Sequence, residues 1–301
     1  MPGAGTQVMR HRITCACAGA AAAAIAAAPA AFGTTAADRG AAARGGAWLA
    51  GQQIASMPAG QQADVMVAMR ITGTPARALA PRLRALASSA PGYADTAGAT
   101  AKVIMGAVAA GGNPRRLGGA NYLARLRSQS DGRGRFGRSA FDQALSMIAL
   151  RTATGRVPAR ATTALLGLRA GPGWNLELAP GSAPDVDSTA LSVVALVAAG
   201  RPCSSAPIRR ARAWLARQRT GGGWTAYPRS GPSANSTALV ARADIACRSR
   251  AAAPLRLIRS LQQRSGAIAY TRAQPESRLL ATSESVPPLA GVSLARGLRP
   301  G

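Results

Sequence analysis

The chain has 301 residues, enough for one large domain or two small ones that bury a core, and its 37 basic and 11 acidic residues give a formal net charge of +26. Hydrophobic residues make up 48% of the chain but aromatic residues only 4%, and residues that favour strands are sparse, so the composition favours an all-α fold. The basic residues are almost all scattered arginines without an aromatic platform, which argues against specific nucleic-acid binding and leaves an anionic cell-envelope polymer or an acidic lipid surface as partner.

The first 37 residues have the pattern of a secretory signal. Arg10, His11 and Arg12 form a basic segment, and an apolar run of small side chains follows over 13–28. Either the Ala-Pro-Ala at 28–30 or the Thr-Ala-Ala at 35–37 suits a signal peptidase. We therefore predict a signal peptide over 1–37 that is removed, a single domain over 38–301, and a secreted or extracytoplasmic protein; the alternative is a disordered alanine-rich leader. The apolar run is too short for a membrane span, so no transmembrane anchor is predicted.

A helix, an aromatic-bearing loop, a polar residue and a second helix recur along the chain, which is typical of a repeat protein. Apolar residues at helical spacing predict six first helices, near 48–53, 81–87, 121–129, 159–168, 208–219 and 254–263. The same spacing predicts six second helices, near 63–72, 96–110, 141–154, 188–199, 236–246 and 282–290. The polar residues at matching places in the second helices are Asp64, Asp95, Asp142, Asp187, Asn235 and Thr282.

The two classes of helix differ in character. First helices carry arginine on one face, as Arg125 and Arg127 do, whereas second helices such as 190–199 are apolar on every side. A helix that is apolar all round is buried, and an amphipathic one is half exposed. We therefore predict an (α/α)₆ toroid in which inner apolar helices are ringed by outer arginine-rich amphipathic helices; an open superhelix is the alternative.

The segment WLARQRTGGGW at 214–224 resembles the Gln-Trp repeat of squalene–hopene and related terpenoid cyclases, which consists of an aromatic-Leu pair, a Gln and then Gly-x-Trp. Weaker copies lie at 123–136, 165–174 and 257–270. The chain looks most like the exported, single-toroid type of the terpenoid cyclase/prenyltransferase-like group. The resemblance implies a toroid with a central cavity, in which Gln218 and Trp224 connect one helix pair to the next.

The stretch Asp-Val-Asp-Ser-Thr-Ala at 185–190 resembles the Asp-x-Asp-Asp-Thr-Ala acid motif of class II terpenoid cyclases. The resemblance implies that Asp187 is the general acid that protonates an alkene or epoxide, with Asp185 in the place of the first Asp. Ser188 replaces the third carboxylate, and its loss weakens the tuning of such an acid. The structural alternative is that Asp187 or Ser188 caps a helix that begins at Thr189.

Cysteine and histidine usage limits the chemistry that the chain can carry. Cys203 and Cys247 each follow a second helix of adjacent repeats, and in an exported protein such a pair predicts a disulfide between helix pairs four and five; two free buried cysteines are the alternative. The only histidine, His11, lies in the predicted signal, so neither a prenyltransferase-like zinc site nor a Ser-His-Asp triad is available to the mature chain. We predict no metal site and no cofactor.

The loops between first and second helices carry aromatic side chains that meet at one rim if the toroid closes. With the polar residues nearby they form the predicted ligand site, which consists of Tyr93, Phe136, Asp142, Trp174, Trp224, Tyr227, Asn235 and Tyr270. The alternative is that the aromatic side chains fill the loops and the polar ones cap helices.

Three functional hypotheses follow. Exported vitamin B12 carriers share the toroid and bind a ligand without chemistry, so by analogy of fold the leading hypothesis is non-catalytic binding. The bound partner is then a small or isoprenoid-like ligand at the rim, or an envelope polyanion on the outer helices. The second hypothesis is a terpenoid-cyclase-like enzyme that uses Asp187 as acid, and the third is a structural envelope protein whose cavity is filled by side chains.

Overall fold

The structure, a computed structural model, describes residues 33–177, 182–226 and 231–298. Most of the predicted signal and Tyr227 lie outside these ranges. The described residues contain twelve α-helices: α1 Ala36–Ala50, α2 Ala59–Ile71, α3 Ala80–Tyr93, α4 Ala97–Ala109, α5 Tyr122–Ser128, α6 Ala140–Thr154, α7 Ala159–Gly167, α8 Val186–Ala198, α9 Ala206–Arg217, α10 Ala234–Ala246, α11 Ala252–Ser260 and α12 Arg278–Leu289. A 3₁₀ turn at Ala76–Leu79 precedes α3, and two short antiparallel strands, β1 Arg169–Ala170 and β2 Gly173–Trp174, follow α7.

The even-numbered helices form a closed inner ring. Each of them packs against the next in the series α2, α4, α6, α8, α10 and α12, and α12 packs back against α2. The odd-numbered helices lie outside, and each from α3 to α11 packs against the inner helix that precedes it, while α1 packs against α12. The prediction of an (α/α)₆ toroid is therefore confirmed, and the closure of the ring excludes the open superhelix.

Small and apolar side chains explain which helices lie inside. In α8 every residue except Asp187 and Val197 is buried, and its sequence is apolar nearly all round. A Cβ added at Gly106 of α4 would lie 2.7 Å from the Ala63 backbone, so the absence of a side chain there lets α4 and α2 approach closely. By contrast, outer helix α9 buries only a stripe made of Ile208, Ala211 and Leu215 and exposes arginines on its other face.

The inner helices begin at capping residues that the sequence analysis placed wrongly. Thr96, Ser139, Asp185 and Ser233 each accept a hydrogen bond from the backbone N–H three residues further on, at the starts of α4, α6, α8 and α10. Neither Asp187 nor Ser188 is the cap of α8, because the helix begins at Val186, three residues earlier than predicted. The sequence analysis considered Asp187 or Ser188 as the cap and not Asp185, so it placed the start of the helix three residues too late.

The first helix is also longer and earlier than predicted. It spans Ala36–Ala50 rather than 48–53, and it starts at a capping box in which the Thr35 and Asp38 side chains each bind the other's backbone N–H. Asp38 also pairs with Arg259 of α11, with Oδ1 and Nε 3.2 Å apart. Helix α1 thus begins at Ala36, within the segment that the sequence analysis assigned to the signal.

Cys203, which precedes α9, and Cys247, which directly follows α10, form a disulfide with their Cα atoms 5.6 Å apart. The predicted pairing between the fourth and fifth repeats is confirmed. In the ranges that the structure describes, no helix combines the length and the apolar character needed to cross a membrane.

Candidate functional site

All inner helices begin at the same end of the ring, which we call the N-terminal rim. Asp187 of α8 and Asn235 of α10 occupy equivalent positions there, two residues after the caps Asp185 and Ser233. Both side chains are half-buried, yet Oδ1 of each is fully buried and has no hydrogen-bond partner among the residues that the structure describes. Buried polar atoms are normally paired, so two unpaired acceptors at matching positions of adjacent helices are an unusual feature of this rim.

The Asp187 carboxyl is perturbed by its surroundings. Burial is the main reason why its pKa is raised to about 6. The nearby Ser236 side chain of α10 opposes this shift, and the negative charges of Asp185 and Glu284 contribute to it. At neutral pH this carboxyl is mostly ionised but accepts a proton more readily than an ordinary Asp.

Asp185 is occupied by a structural role. Its Oδ1 accepts the Ser188 N–H at 2.7 Å and its Oδ2 accepts the Leu176 N–H at 2.8 Å, so both oxygens are used to start α8 and to hold the preceding loop. Leu176 on that loop is 53% exposed, the one large hydrophobic side chain in the described ranges that is so open to solvent. The rim beside Asp187 therefore combines an apolar surface with a buried acceptor.

Trp174 and Trp224 lie in the interior and hold their own repeats together. Trp174 is fully buried and Trp224 is 5% exposed, and their indole N–H groups donate to the Leu165 and Leu215 carbonyls, both at 2.7 Å. These carbonyls belong to the outer helix of the same repeat, and no atom of the buried Trp174 side chain is open to a ligand. Neither tryptophan is therefore part of the site at the N-terminal rim that we propose below.

Two threonines on the inner helices complete these tryptophan units. The Trp174 and Trp224 backbone N–H groups donate to Thr189 Oγ1 at 3.0 Å and Thr237 Oγ1 at 3.1 Å. A side chain at Gly173 or Gly223 would collide with the same hydroxyl oxygens, so the Gly-Trp dipeptide of the repeat requires glycine for steric reasons. Gln143 takes the place of threonine in the third repeat, where Oε1 accepts the Phe136 N–H at 2.6 Å.

The remaining predicted site residues are spread around the rim. Phe136 is 4% exposed and belongs to the core. Tyr93 and Tyr270 are half-buried. Asp142 lies against α4, where a side chain at Gly98 would collide with its carboxylate, and Tyr227 lies outside the described residues.

Sequence reasoning missed that four charged side chains come together inside the ring. Lys102 Nζ of α4 lies 2.7 Å from Asp64 Oδ2 of α2, and Arg242 of α10 lies 2.8 Å from Glu284 Oε2 of α12. Arg242 also donates to the Glu284 backbone carbonyl at 2.7 Å. Since α2, α4, α10 and α12 are consecutive around the closed ring, we call these four residues the inner charge cluster.

Burial and the neighbouring charges shift the pKa values of Asp64 and Lys102 in the inner charge cluster. Burial raises the pKa of the Asp64 carboxyl, Lys102 opposes the shift, and Glu284 adds to it. Burial also raises the pKa of Tyr93, whose hydroxyl covers Gly60 at the start of α2 and interacts with Lys102 and Asp64. The cluster thus extends from the interior towards the rim. In the sequence, the cluster is indicated only by a lone lysine and an acid within apolar helices. Their proximity follows from the closed ring and not from the local sequence.

Comparison with known proteins places this geometry in a fold group. No protein-family profile matches the sequence, and no curated protein matches it. Among solved structures, the type II terpene cyclase MstE of Scytonema aligns with a TM-score of 0.60 at 14% identity, over 84% of this chain and 97% of that one. A variant of that enzyme in complex with geranylgeranyl dihydroxybenzoate, named as its substrate, aligns with a TM-score of 0.61 at 14% identity, over 86% and 98%.

The ent-copalyl diphosphate synthase of Streptomyces platensis aligns with a TM-score of 0.53 at 18% identity, over 78% of this chain. This chain spans 50% of the length of that synthase. The chain therefore has the terpenoid-cyclase-like α/α-toroid fold that its Gln-Trp repeat indicates.

Proposed function

We propose that this protein binds an isoprenoid-like ligand at the N-terminal rim without transforming it. The observation that supports the proposal is the pair of buried, unpartnered acceptors, Asp187 Oδ1 and Asn235 Oδ1, on adjacent inner helices. A hydroxyl or phenol group on the ligand would donate to them, and an apolar chain would lie over the exposed Leu176 and the half-buried Tyr270. Two structural neighbours are named as complexes with a geranylgeranyl substrate and with merosterolic acid A, which makes this ligand class the natural first choice.

The second candidate function is a cyclase-like enzyme with Asp187 as general acid, which the raised pKa of Asp187 favours. Two features weigh against it. An acid that protonates an alkene needs a neighbouring group free to polarise it, whereas Asp185 already accepts two backbone N–H groups and Ser188 stands in place of a third carboxylate.

We further propose that the protein acts outside the cytoplasm, because a disulfide such as Cys203–Cys247 persists in oxidising compartments. Binding of an anionic envelope polymer to the exposed arginines of the outer helices stays a prediction from charge alone.

The test uses geranylgeranyl dihydroxybenzoate as the probe. Native mass spectrometry of the purified chain measures the complex, and chromatography with mass detection measures any change in the probe after prolonged incubation. We expect binding without product, and a dissociation constant raised about tenfold or more in an Asp187→Leu/Asn235→Leu variant, because each lost hydrogen bond costs about 1 kcal/mol and more when the donor stays buried.

The matched control is Asp95→Leu, which replaces an exposed carboxylate at the same rim and should leave binding unchanged. A product that disappears in Asp187→Asn would establish the enzyme instead. Absence of binding, or equal binding by the double variant, would refute the rim site.

A further inference from the structure

Outside the rim, a cleft of about 230 Å³ opens between outer helices α9 and α11, over inner helix α10. We call it the α9–α11 cleft. Its lining consists of Arg212, Leu215, Ala216, Arg219, Trp224, Val240, Asp244, Arg250, Ala253 and Pro254. Cavities for drug-sized ligands typically measure about 300–1,000 Å³, so this cleft suits a smaller molecule.

The cleft has a charged wall with cations in excess. Arg212 donates to Asp244 Oδ1 at 3.2 Å and to Ser249 Oγ at 2.7 Å, so the single acid of the lining is already paired. Arg219 and Arg250 are exposed, and neither forms an ion pair with any residue in the described ranges. Two guanidinium groups are therefore available to an anion.

The floor of the cleft is apolar. Leu215, Trp224 and Val240 contribute to it and are 2%, 5% and 3% exposed, so they form a packed surface and not a flexible one. The Trp224 indole is fixed by its hydrogen bond to the Leu215 carbonyl. A ligand that contacts this floor must bring an apolar body with it.

The walls of the cleft are held in place by a covalent bond. The Cys203–Cys247 disulfide connects the segment before α9 to the end of α10, and Ser249 in the next turn accepts the Arg212 hydrogen bond. Binding to a preorganised site loses less conformational entropy, because the side chains and the helices around it are already ordered.

From this combination of two exposed arginines without an ion pair in the described ranges, a packed apolar floor and a cross-linked frame, we propose that the α9–α11 cleft binds a small amphiphilic anion, such as a short-chain or monoaromatic carboxylate. The anionic group lies between Arg219 and Arg250, and the apolar body lies on Leu215, Trp224 and Val240. The site is separate from the acceptors at the rim and does not depend on the function proposed for them.

Calorimetric titration of the full chain tests the proposal with three probes: octanoate, octan-1-ol and inorganic phosphate. Octanoate carries both features that the cleft recognises, whereas each of the other probes carries one. We expect octanoate to bind at a single site and the other two at least about tenfold more weakly, because each lacks either the charge-assisted hydrogen bonds or the apolar contact. Equal binding of phosphate, equal binding of octanol, or no binding of octanoate would overturn the proposal.

Two variants locate the site. Arg219→Ala/Arg250→Ala should weaken octanoate binding about tenfold or more, whereas the matched control Arg209→Ala/Arg210→Ala, which removes two exposed arginines of α9 outside the lining, should not. Ala253→Trp keeps every arginine but fills the cleft, and it should abolish binding while circular dichroism shows unchanged helix content. Equal losses in both arginine pairs would show a general effect of net charge, and undiminished binding in Ala253→Trp would place the anion elsewhere; either result would refute the cleft.

Discussion

Lys102 Nζ of α4 lies 2.7 Å from Asp64 Oδ2 of α2, so the only lysine of the chain forms an ion pair inside the ring. Glu284 of α12 lies close enough to affect both groups, which connects the pair to the point where the last inner helix meets the first. Burial lowers the pKa of Lys102, but the attraction of Asp64 and Glu284 outweighs this and raises it above its ordinary value. The ammonium thus forms an ion pair with one half-buried carboxylate and is attracted by a second.

Lys102→Met should destabilise the fold, because it leaves Asp64 and Glu284 with one cation, Arg242, in a partly buried site. Breaking a buried pair typically costs about 3–5 kcal/mol, and the 22% exposure of the Lys102 side chain reduces this to about 2–4 kcal/mol. Urea unfolding followed by circular dichroism measures the loss. Lys102→Met combined with Asp64→Asn should recover part of it, since that variant removes the unpaired charge. A single variant as stable as the wild type would contradict the importance of the cluster.

The raised pKa of Asp187 predicts that the free energy of unfolding depends on pH, and it also fixes the direction of that dependence. Its pKa is about 6 in the folded protein, above the ordinary 3.8, so the folded state holds the proton more tightly than the unfolded state does. The stabilisation from this proton is complete below the ordinary pKa and is lost as the pH rises to about 6. Asp187→Asn should therefore unfold with the same free energy as the wild type in acid and be more stable by about 2–3 kcal/mol at about pH 8.

Urea unfolding at a series of pH values checks this expectation. Asp95→Asn, at an exposed position of the same rim, is the isosteric control and should run parallel to the wild type. A difference between Asp187→Asn and the wild type that does not change with pH would show that titration of Asp187 is not responsible.

The disulfide should stabilise the ring chiefly by restricting the unfolded chain. Cys203 and Cys247 are separated by 44 residues, and closing a loop of this length contributes about 2–4 kcal/mol. Cys203→Ser/Cys247→Ser should lose this amount in urea unfolding, and reduction of the wild type with dithiothreitol should reproduce the same loss. If the reduced wild type were as stable as the oxidised protein, the stabilising role would be wrong.

The order of helices, the toroid and the disulfide followed from the sequence because they depend on local patterns. Apolar residues that continue around a helix mark α8 as an inner helix, and matching cysteines after adjacent inner helices mark the cross-link. The start of α8 was predicted wrongly, since Asp185 and Asp187 are both good capping residues and Asp185 is fixed at the start of the helix by its hydrogen bonds with the Ser188 and Leu176 N–H groups. Local sequence does not encode that choice.

The candidate site was harder to predict, because its parts come from distant segments. Trp174 was predicted at the rim from its place in the loop. In the structure its indole N–H donates to the Leu165 carbonyl of the outer helix in the same repeat, and the side chain is buried. Lys102 and Glu284 are far apart in sequence, and Glu284 comes close enough to attract Lys102 only because the ring closes. A lone lysine in an apolar helix is unusual and could have indicated a buried charge pair. The sequence alone does not show which acid is its partner.

Thr237→Val tests the unit that explains the Gly-Trp repeat. Thr237 Oγ1 accepts the Trp224 N–H at 3.1 Å and donates to the Trp224 carbonyl at 3.4 Å, and valine keeps the shape of the side chain while removing both bonds. The buried N–H is then left unpaired, so we expect a loss of about 1–3 kcal/mol in urea unfolding, and Thr189→Val should behave alike because Thr189 binds Trp174 in the same way. Thr163→Val on the exposed face of α7 is the matched control and should cost little. If Thr237→Val lowered the free energy of unfolding no more than this control does, tryptophan packing alone would hold the repeat together. The threonine four residues after the cap would then not stabilise the fold.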